Sequence, residues 1–157
     1  MPCESQPPMR LRPYRSLDLP TLHAIDQACF APGIAYTRGE LAGFIGHRSS
    51  QTWVAEDEES ETITGFLIAT REPRKILHIV TIDVVEAWRR KRVGALLMDA
   101  AENWAWDNKL RLVGLETAEN NLGAQRFYEA RGYAKVDKLE GYYPGGLAAW
   151  VMVKDLS

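Results

Sequence analysis

With 157 residues, 46% hydrophobic and 25% charged, the chain is long enough to bury one sizeable core and short for two domains. Nineteen basic residues against 21 acidic ones give a net charge of −2 and a pI near 5.9, which argues against a protein that holds nucleic acid by neutralising many phosphates. No apolar run approaches membrane-spanning length, the start MPCESQPPM lacks the regions of a signal peptide, and Cys3 and Cys29 have no metal-ligand or disulfide-framework spacing; a cytoplasmic enzyme or binding protein with plain thiols is expected.

Residues 1–8 are a Pro-rich polar tail expected to be loose, ahead of a single domain over 9–157. Residues 9–14 alternate like an edge strand, with Pro13 near its end. Ser16 or Asp18 then caps a helix whose apolar face is Leu22, Ile25 and Cys29, and Phe30-Ala-Pro-Gly33 breaks it. Thr37, with Glu40 three residues on, has capping-box spacing for a second short helix carrying Leu41, Phe44 and Ile45. Residues 52–55 and 62–69 read as two strands around an acidic turn, 56–61, expected to be solvated.

After a break at 71–74 comes a fourth strand. Val93, Leu96, Leu97, Ala100, Ala101 and Trp104 then recur at the helical offsets 3, 4, 7, 8 and 11. Residues 110–117 read as another strand, on which Leu110, Leu112, Gly114 and Glu116 share one face, so a carboxylate stands in an apolar row. A helix is expected from about Asn121 to Arg131, with Ala124, Phe127, Tyr128 and Arg131 on one face and Gly132 as its left-handed stop. Residues 133–139 and 148–153 close as a hairpin. The order βααβββαβαββ predicts an α/β fold in which the helix after the fourth strand crosses over to a parallel fifth.

The junction before that crossover helix, Arg89-Arg90-Lys91-Arg92, puts four cations on its first turn, where the macrodipole is already positive. Each is expected to cost roughly 0.3–1 kcal/mol unless an anion answers it. A phosphate on the free N–H groups, with Gly94 letting the backbone come close, reverses that sign. The competing reading is a solvated basic patch, or a basic run of the nuclear-localisation or nucleic-acid type.

These residues resemble the GNAT superfamily of acetyl-CoA-dependent N-acetyltransferases. Its phosphate loop reads Arg/Gln-x-x-Gly-x-Gly/Ala on a strand-turn-helix, and Arg89, Arg90, Lys91, Arg92, Val93 and Gly94 occupy it here. Arg92 stands where the family usually has its first glycine, and can still present its N–H to a pyrophosphate if its φ is negative. Asn121-Leu-Gly-Ala124 with Phe127-Tyr128-Glu-Ala-Arg-Gly132-Tyr133 is similar to the family's Asn-x-x-Ala-x-x-hydrophobic-Tyr-x-x-x-Gly-Phe/Tyr, so the resemblance covers nearly the whole chain. Leu115-Glu116, and Gly-Tyr-Tyr-Pro-Gly-Gly ahead of Ala149-Trp-Val-Met152, look like the RimI-like branch that acetylates protein N-termini. Glu86 and Ala148 depart from the pattern, where a proline and an aspartate are usual.

The resemblance implies a mixed, mostly antiparallel central sheet of about seven strands flanked by about four helices. It implies acetyl-CoA as cofactor, with the backbone of Ile82, Asp83 and Val84 pairing with the pantetheine arm like an added strand. Arg89, Arg90, Lys91, Arg92, Val93, Gly94 and Ala95 would take its phosphates, with Asn121 and Tyr128 also in contact. Phe30 and Tyr36 in one loop and Tyr142 and Tyr143 in another would wall the acceptor. The implied partner is a protein or peptide N-terminus, a ribosomal protein among the candidates, with no nucleic acid, membrane or metal, and a monomer or weak dimer.

Acetyl transfer from a thioester to an amine needs a neutral amine and a proton for the departing thiolate. Glu116 is a candidate base, its pKa expected to rise by desolvation on its apolar face; the alternative is a structural Glu paired with a cation across the strands. Tyr128 is a candidate acid, with a free phenol near 10 against about 8.5 for a thiol; the alternative is a core tyrosine with its hydroxyl satisfied. His23, His47 and His78 match no triad or ligand spacing and are read as structural. An α-amine at about 7.7–8.0 is far easier to neutralise than lysine at about 10.4, which favours an N-terminal α-amine as acceptor. A small-amine acetyltransferase, or a CoA-binding module without turnover, stays open beside it.

Overall fold

The computed structural model describes residues 8–157, so the expected tail and Cys3 lie outside the described residues except for Pro8. The strands are β1 (Met9–Pro13), β2 (Ser50–Asp57), β3 (Ile63–Glu72), β4 (Ile76–Val84), β5 (Leu112–Ala118), β6 (Ala134–Leu139) and β7 (Ala149–Asp155); the helices are α1 (Leu19–Cys29), α2 (Arg38–Gly46), α3 (Val93–Asp107) and α4 (Leu122–Ala130). They form one seven-stranded sheet in the order β1-β2-β3-β4-β5-β7-β6. All neighbours are antiparallel except β4 and β5, which the crossover through α3 makes parallel. Both the predicted element order and the predicted parallel pair are therefore present.

Each face of the sheet carries its own core. Leu22, Ile25 and Leu41 of α1 and α2 pack on Val54, Phe66 and Ile68. Val93, Leu97, Met98 and Ala101 of α3, with Tyr128 of α4, pack on Leu67, Leu77, Ile79, Val113 and Leu115. The alternation Phe66/Leu67/Ile68 sends successive side chains to opposite helical layers, so β3 is apolar on both faces. α2 starts as its sequence predicts: Thr37 Oγ1 accepts the Glu40 N–H at 3.1 Å, and Glu40 Oε1 accepts the Thr37 N–H at 3.0 Å. No helix among the described residues is long and apolar enough to cross a membrane.

Two features set the central strands. Gly65 lets β3 and β4 approach, because a Cβ there would lie 2.6 Å from the Asp83 carbonyl oxygen. Further along the same pair the register runs Ile68↔Thr81 and then Ala69↔Ile79, leaving Val80 as an extra residue in β4. This bulge reverses the alternation of faces. Before it, Leu77 and Ile79 face α3; after it, Ile82 and Val84 do, and Thr81 and Asp83 turn towards α1.

Three sequence expectations are corrected. The acidic turn is only partly solvated: Glu56 and Asp57 belong to β2 and are buried, and Glu56 binds Arg10 and Arg12 at 2.6 and 2.8 Å. Asp18 is the N-cap residue of α1 as read, but its side chain makes no cap hydrogen bond; its carboxylate is held by Arg12 at 2.8 and 2.9 Å and by the Arg15 N–H at 2.8 Å. Arg89, Arg90 and Lys91 lie before α3, not on its first turn, and Arg92 is its N-cap.

Candidate active site

β4 and β5 pair only over Ile76↔Leu112, Leu77↔Val113 and His78↔Gly114, and then separate. Beyond that point β4 is held by β3 and β5 by β7, so the backbone groups that β4 and β5 turn towards each other have no strand partner. The gap opens into a cleft of about 450 Å³ lined by Ile79 to Ile82 on one side and Leu115 to Ala118 on the other. Phe30, Tyr36, Asn121, Tyr128 and Tyr143 also line it, beside Glu116 and Ile82 of the two strands. Seven of the residues singled out in the sequence, Ile82 among them, thus meet in one place.

Glu116 is in half-buried surroundings, and its Oε2 lies 2.7 Å from His78 Nε2. Thus the cross-strand partner weighed as the alternative for Glu116 exists, and it is the histidine read as structural. Burial pulls the His78 pKa down, but the hydrogen bond and charge of Glu116 and the charge of Glu72, 3.5 Å from Nδ1, outweigh it and leave the pKa raised. No spacing in the sequence reveals this pair, because it depends on strand register across 38 residues.

Tyr128 is 8% exposed, its ring packed edge-on against Phe127 and Tyr133 at 5.4 and 5.8 Å. The residue also lines the cleft, and its hydroxyl makes no side-chain hydrogen bond among the described residues. Burial, then the charge of Asp83, push its pKa well up. The gap to a thiol is therefore wider than for a free phenol, and Tyr128 is suited to donating a hydrogen bond to a departing sulfur while staying protonated at neutral pH.

The two loops expected to wall the acceptor touch: a Cβ at Gly33 would lie 3.5 Å from Pro144 Cβ. Tyr36 stacks edge-on to Phe44 at 5.0 Å, and Asp26 Oδ2 accepts its backbone N–H at 2.7 Å. Tyr142, also expected as a wall, does not line the cleft; it is 46% exposed and edge-on to Tyr143 at 4.9 Å. Burial raises both phenols, that of Tyr143 to about 12, and the Glu116 carboxylate adds to the shift in each.

At the other end, Arg90 and Arg92 have φ of +63° and +66°. The condition that Arg92 keep a negative φ is therefore not met: it occupies the left-handed region its glycine equivalent would enter without cost. Arg89 folds back onto the Val84 carbonyl at 3.3 Å and Cys29 Sγ at 3.7 Å, and Lys91 sits over the Trp88 ring at 4.9 Å. Gly94 is explained by packing, since a Cβ there would lie 3.3 Å from Phe127 Cζ. The N–H groups of Val93, Gly94 and Ala95 have no acceptor within α3 and face this cationic loop. Asn121 caps α4, accepting the Ala124 N–H at 3.2 Å, which leaves its amide NH₂ available on the cleft. Open strand edges leading to a cationic helix start fit an extended amide-bearing arm that ends in phosphates.

Residues 3–133 match the acetyltransferase (GNAT) family. An N-alpha-acetyltransferase of Saccharolobus solfataricus is 34% identical over 80 residues, which is 50% of this chain and 48% of that protein; the match thus spans about half the length of that relative. Two crystal structures share the fold. Ard1 from Thermoplasma volcanium has a TM-score of 0.86 at 24% identity, over 94% of this chain and 97% of that one. The ribosomal-protein-S18-alanine N-acetyltransferase from Escherichia coli has a TM-score of 0.83 at 18% identity, over 95% and 94%. With residues 3–133 matched and the fold shared, the chain belongs to the acetyltransferase (GNAT) family.

Proposed function

We propose that this chain acetylates the N-terminal α-amine of a protein or peptide in the manner of the RimI-like branch, a ribosomal protein being one candidate acceptor. The observation that carries the reading is the Glu116–His78 pair inside a cleft walled by Tyr36 and Tyr143. The S. solfataricus relative, an N-alpha-acetyltransferase, supports it. Acetyl-CoA, when bound, supplies the acetyl group as a thioester. The open edge of β4, the N–H groups of Val93 to Ala95 and the cations Arg90 and Lys91 are the groups that would hold it, with Asn121 at the cleft.

Glu116 takes a proton from the incoming ammonium group, directly or through a water, so that the amine can attack. His78 Nε2–H donates to Glu116 Oε2 and orients the carboxylate, whose other oxygen takes the proton and passes it to solvent; Nδ1 faces Glu72, whose side chain is 45% exposed. Tyr128 donates a hydrogen bond to the sulfur as the C–S bond breaks. An α-amine needs far less help to lose its proton than a lysine does, which suits one carboxylate in contact with a single imidazole.

The test is thiol release from acetyl-CoA with peptides of one sequence bearing free N-terminal alanine or serine, N-terminally blocked copies with an internal lysine, and small polyamines. Free N-termini are expected to be acetylated fastest. Faster turnover of the blocked lysine peptides or the polyamines overturns the reading in favour of a side-chain or small-amine acetyltransferase; no turnover with any amine would favour a CoA-binding module.

A further inference from the structure

Two carboxylates lie between α1 and β4, away from Glu116. Asp26 is fully buried and Asp83 is 1% exposed. One oxygen of each is accounted for: Asp26 Oδ2 accepts the Tyr36 N–H at 2.7 Å, and Asp83 Oδ1 accepts the Thr81 hydroxyl at 2.6 Å. The other two, Asp26 Oδ1 and Asp83 Oδ2, are buried without any hydrogen-bond partner. Leaving either ionised oxygen so is costly, and two such charges side by side are costlier. Asp26 acts directly on Asp83, and no cation is among the groups acting on Asp83. A proton between the orphaned oxygens satisfies both and removes one of the two charges.

We propose that Asp26 and Asp83 share one proton between Asp26 Oδ1 and Asp83 Oδ2, and that this locked pair positions Tyr36 on the acceptor side of the cleft. The second half rests on the acceptor reading above. Burial, then Asp26, hold the Asp83 carboxyl well above the ordinary carboxylate range, so the proton is retained as pH rises past the usual values. The pair joins the strand along the cofactor cleft to the loop that walls the acceptor, with Gln27 Nε2 clamping the Tyr36 carbonyl at 2.7 Å beside it. The titratable groups that sense the pair are Cys29 from α1, Tyr36 from the loop and Tyr128 from α4, all raised chiefly by burial and neutral in the neutral range. Arg89 reaches the Cys29 sulfur and does not ion-pair with either carboxylate.

Three variants test this. A carboxyl raised in the fold contributes stability that is complete below its unfolded pKa of about 3.9 and is lost as pH rises towards its folded value. Asp83→Asn keeps a donor for Asp26 and has no such slope. Its Tm relative to wild type should therefore climb as pH rises above about 4; a difference that does not change with pH overturns the shared proton. Asp26→Ala should raise the acceptor-peptide KM about tenfold, the scale of one charge-assisted hydrogen bond, with kcat and the acetyl-CoA KM unchanged. It should also speed hydrogen exchange at the Tyr36 amide. Asp26→Asn, which keeps an acceptor oxygen, should restore both. Unchanged KM and unchanged exchange overturn the positioning role. If Asp26→Ala does not fold, Tyr36 protection decides: it should fall in wild type above the pH at which the pair ionises and hold in Asp83→Asn, and equal loss in both overturns it. If wild type acetylates no peptide N-terminus, the acceptor reading falls, while the melting and exchange results still decide the pair.

Discussion

His78 Nε2 meets Glu116 Oε2 at 2.7 Å because His78 is opposite Gly114, two residues before Glu116, in the last rung of the parallel β4/β5 ladder. The histidine gains a partner on folding and its pKa is raised. Its stabilising contribution is therefore complete below the unfolded value of about 6.5 and fades as pH rises through the folded value. The Tm advantage of wild type over His78→Gln should be largest near pH 6 and shrink above it. Across the same window the wild-type kcat/KM should rise, since an imidazolium charge beside Glu116 opposes proton uptake by the carboxylate, and that limb should be absent from the His78→Gln profile.

Glu116→Gln should lower kcat by roughly 10²–10⁴ with acetyl-CoA affinity intact, the range for loss of a positioned base. Calorimetric binding of acetyl-CoA alongside steady-state rates checks this. Wild-type rates at neutral pH would make the carboxylate structural.

Tyr128 separates packing from chemistry. Its ring lies in the core but its hydroxyl makes no side-chain hydrogen bond among the described residues. Tyr128→Phe should leave Tm near wild type and reduce kcat, whereas Tyr128→Ala should cost roughly 3–5 kcal/mol of stability, as aromatic truncations in cores do. A large Tm loss in the Phe variant would assign the hydroxyl to the fold.

The cationic loop before α3 offers two opposite tests. Arg90→Glu should weaken CoA binding by a factor that shrinks as salt rises, because the charges are partly exposed. Arg92→Gly should relieve a left-handed arginine, a strain of about 1–2 kcal/mol less the added entropy of glycine in the unfolded chain. A melting scan without ligand should show a Tm gain of a few degrees.

Arg12 bridges Asp18 and Glu56, and its hydrogen bonds hold both carboxyls below their ordinary range. Groups lowered in the fold stabilise above their unfolded pKa, about 3.9 and 4.3, and lose that contribution as pH falls through the folded values. Arg12→Leu should destabilise at pH 7, by less than the ~3–5 kcal/mol of a fully broken buried pair because Arg10 still holds Glu56. The Tm difference from wild type should narrow as pH is lowered towards 3.

Local signals in the chain were legible and register was not. The capping box at Thr37 and Glu40, the helix from Val93 and the stop at Gly132, whose φ is +95°, each depend on residues a few positions apart, and each formed as read. The buried face of that helix is turned from the one read: Leu96, Ala100 and Trp104 are only half-buried, while Met98, Glu102 and Ala105 are buried. What escaped depends on pairing between distant segments. The extra residue Val80 turns Asp83 towards Asp26, and period-two counting cannot see an insertion that exists only relative to β3. Glu56 reads as part of an acidic turn until Arg10 and Arg12 arrive from β1, over 40 positions away. Arg92 was misjudged because a positive φ at a non-glycine residue is unfavourable and therefore not expected.

The gap between β4 and β5 stays open because each strand is pinned on its far side, β4 by β3 and β5 by β7. An interior edge of this kind is ready to pair with any extended chain narrow enough to enter, and filling it requires no strand to move. Association should then be limited by diffusion and steering more than by rearrangement, and a ligand arm that completes the ladder should cross-link the two halves of the sheet. Amide protection on the two facing edges would be the earliest sign of occupancy, ahead of any change in the helices.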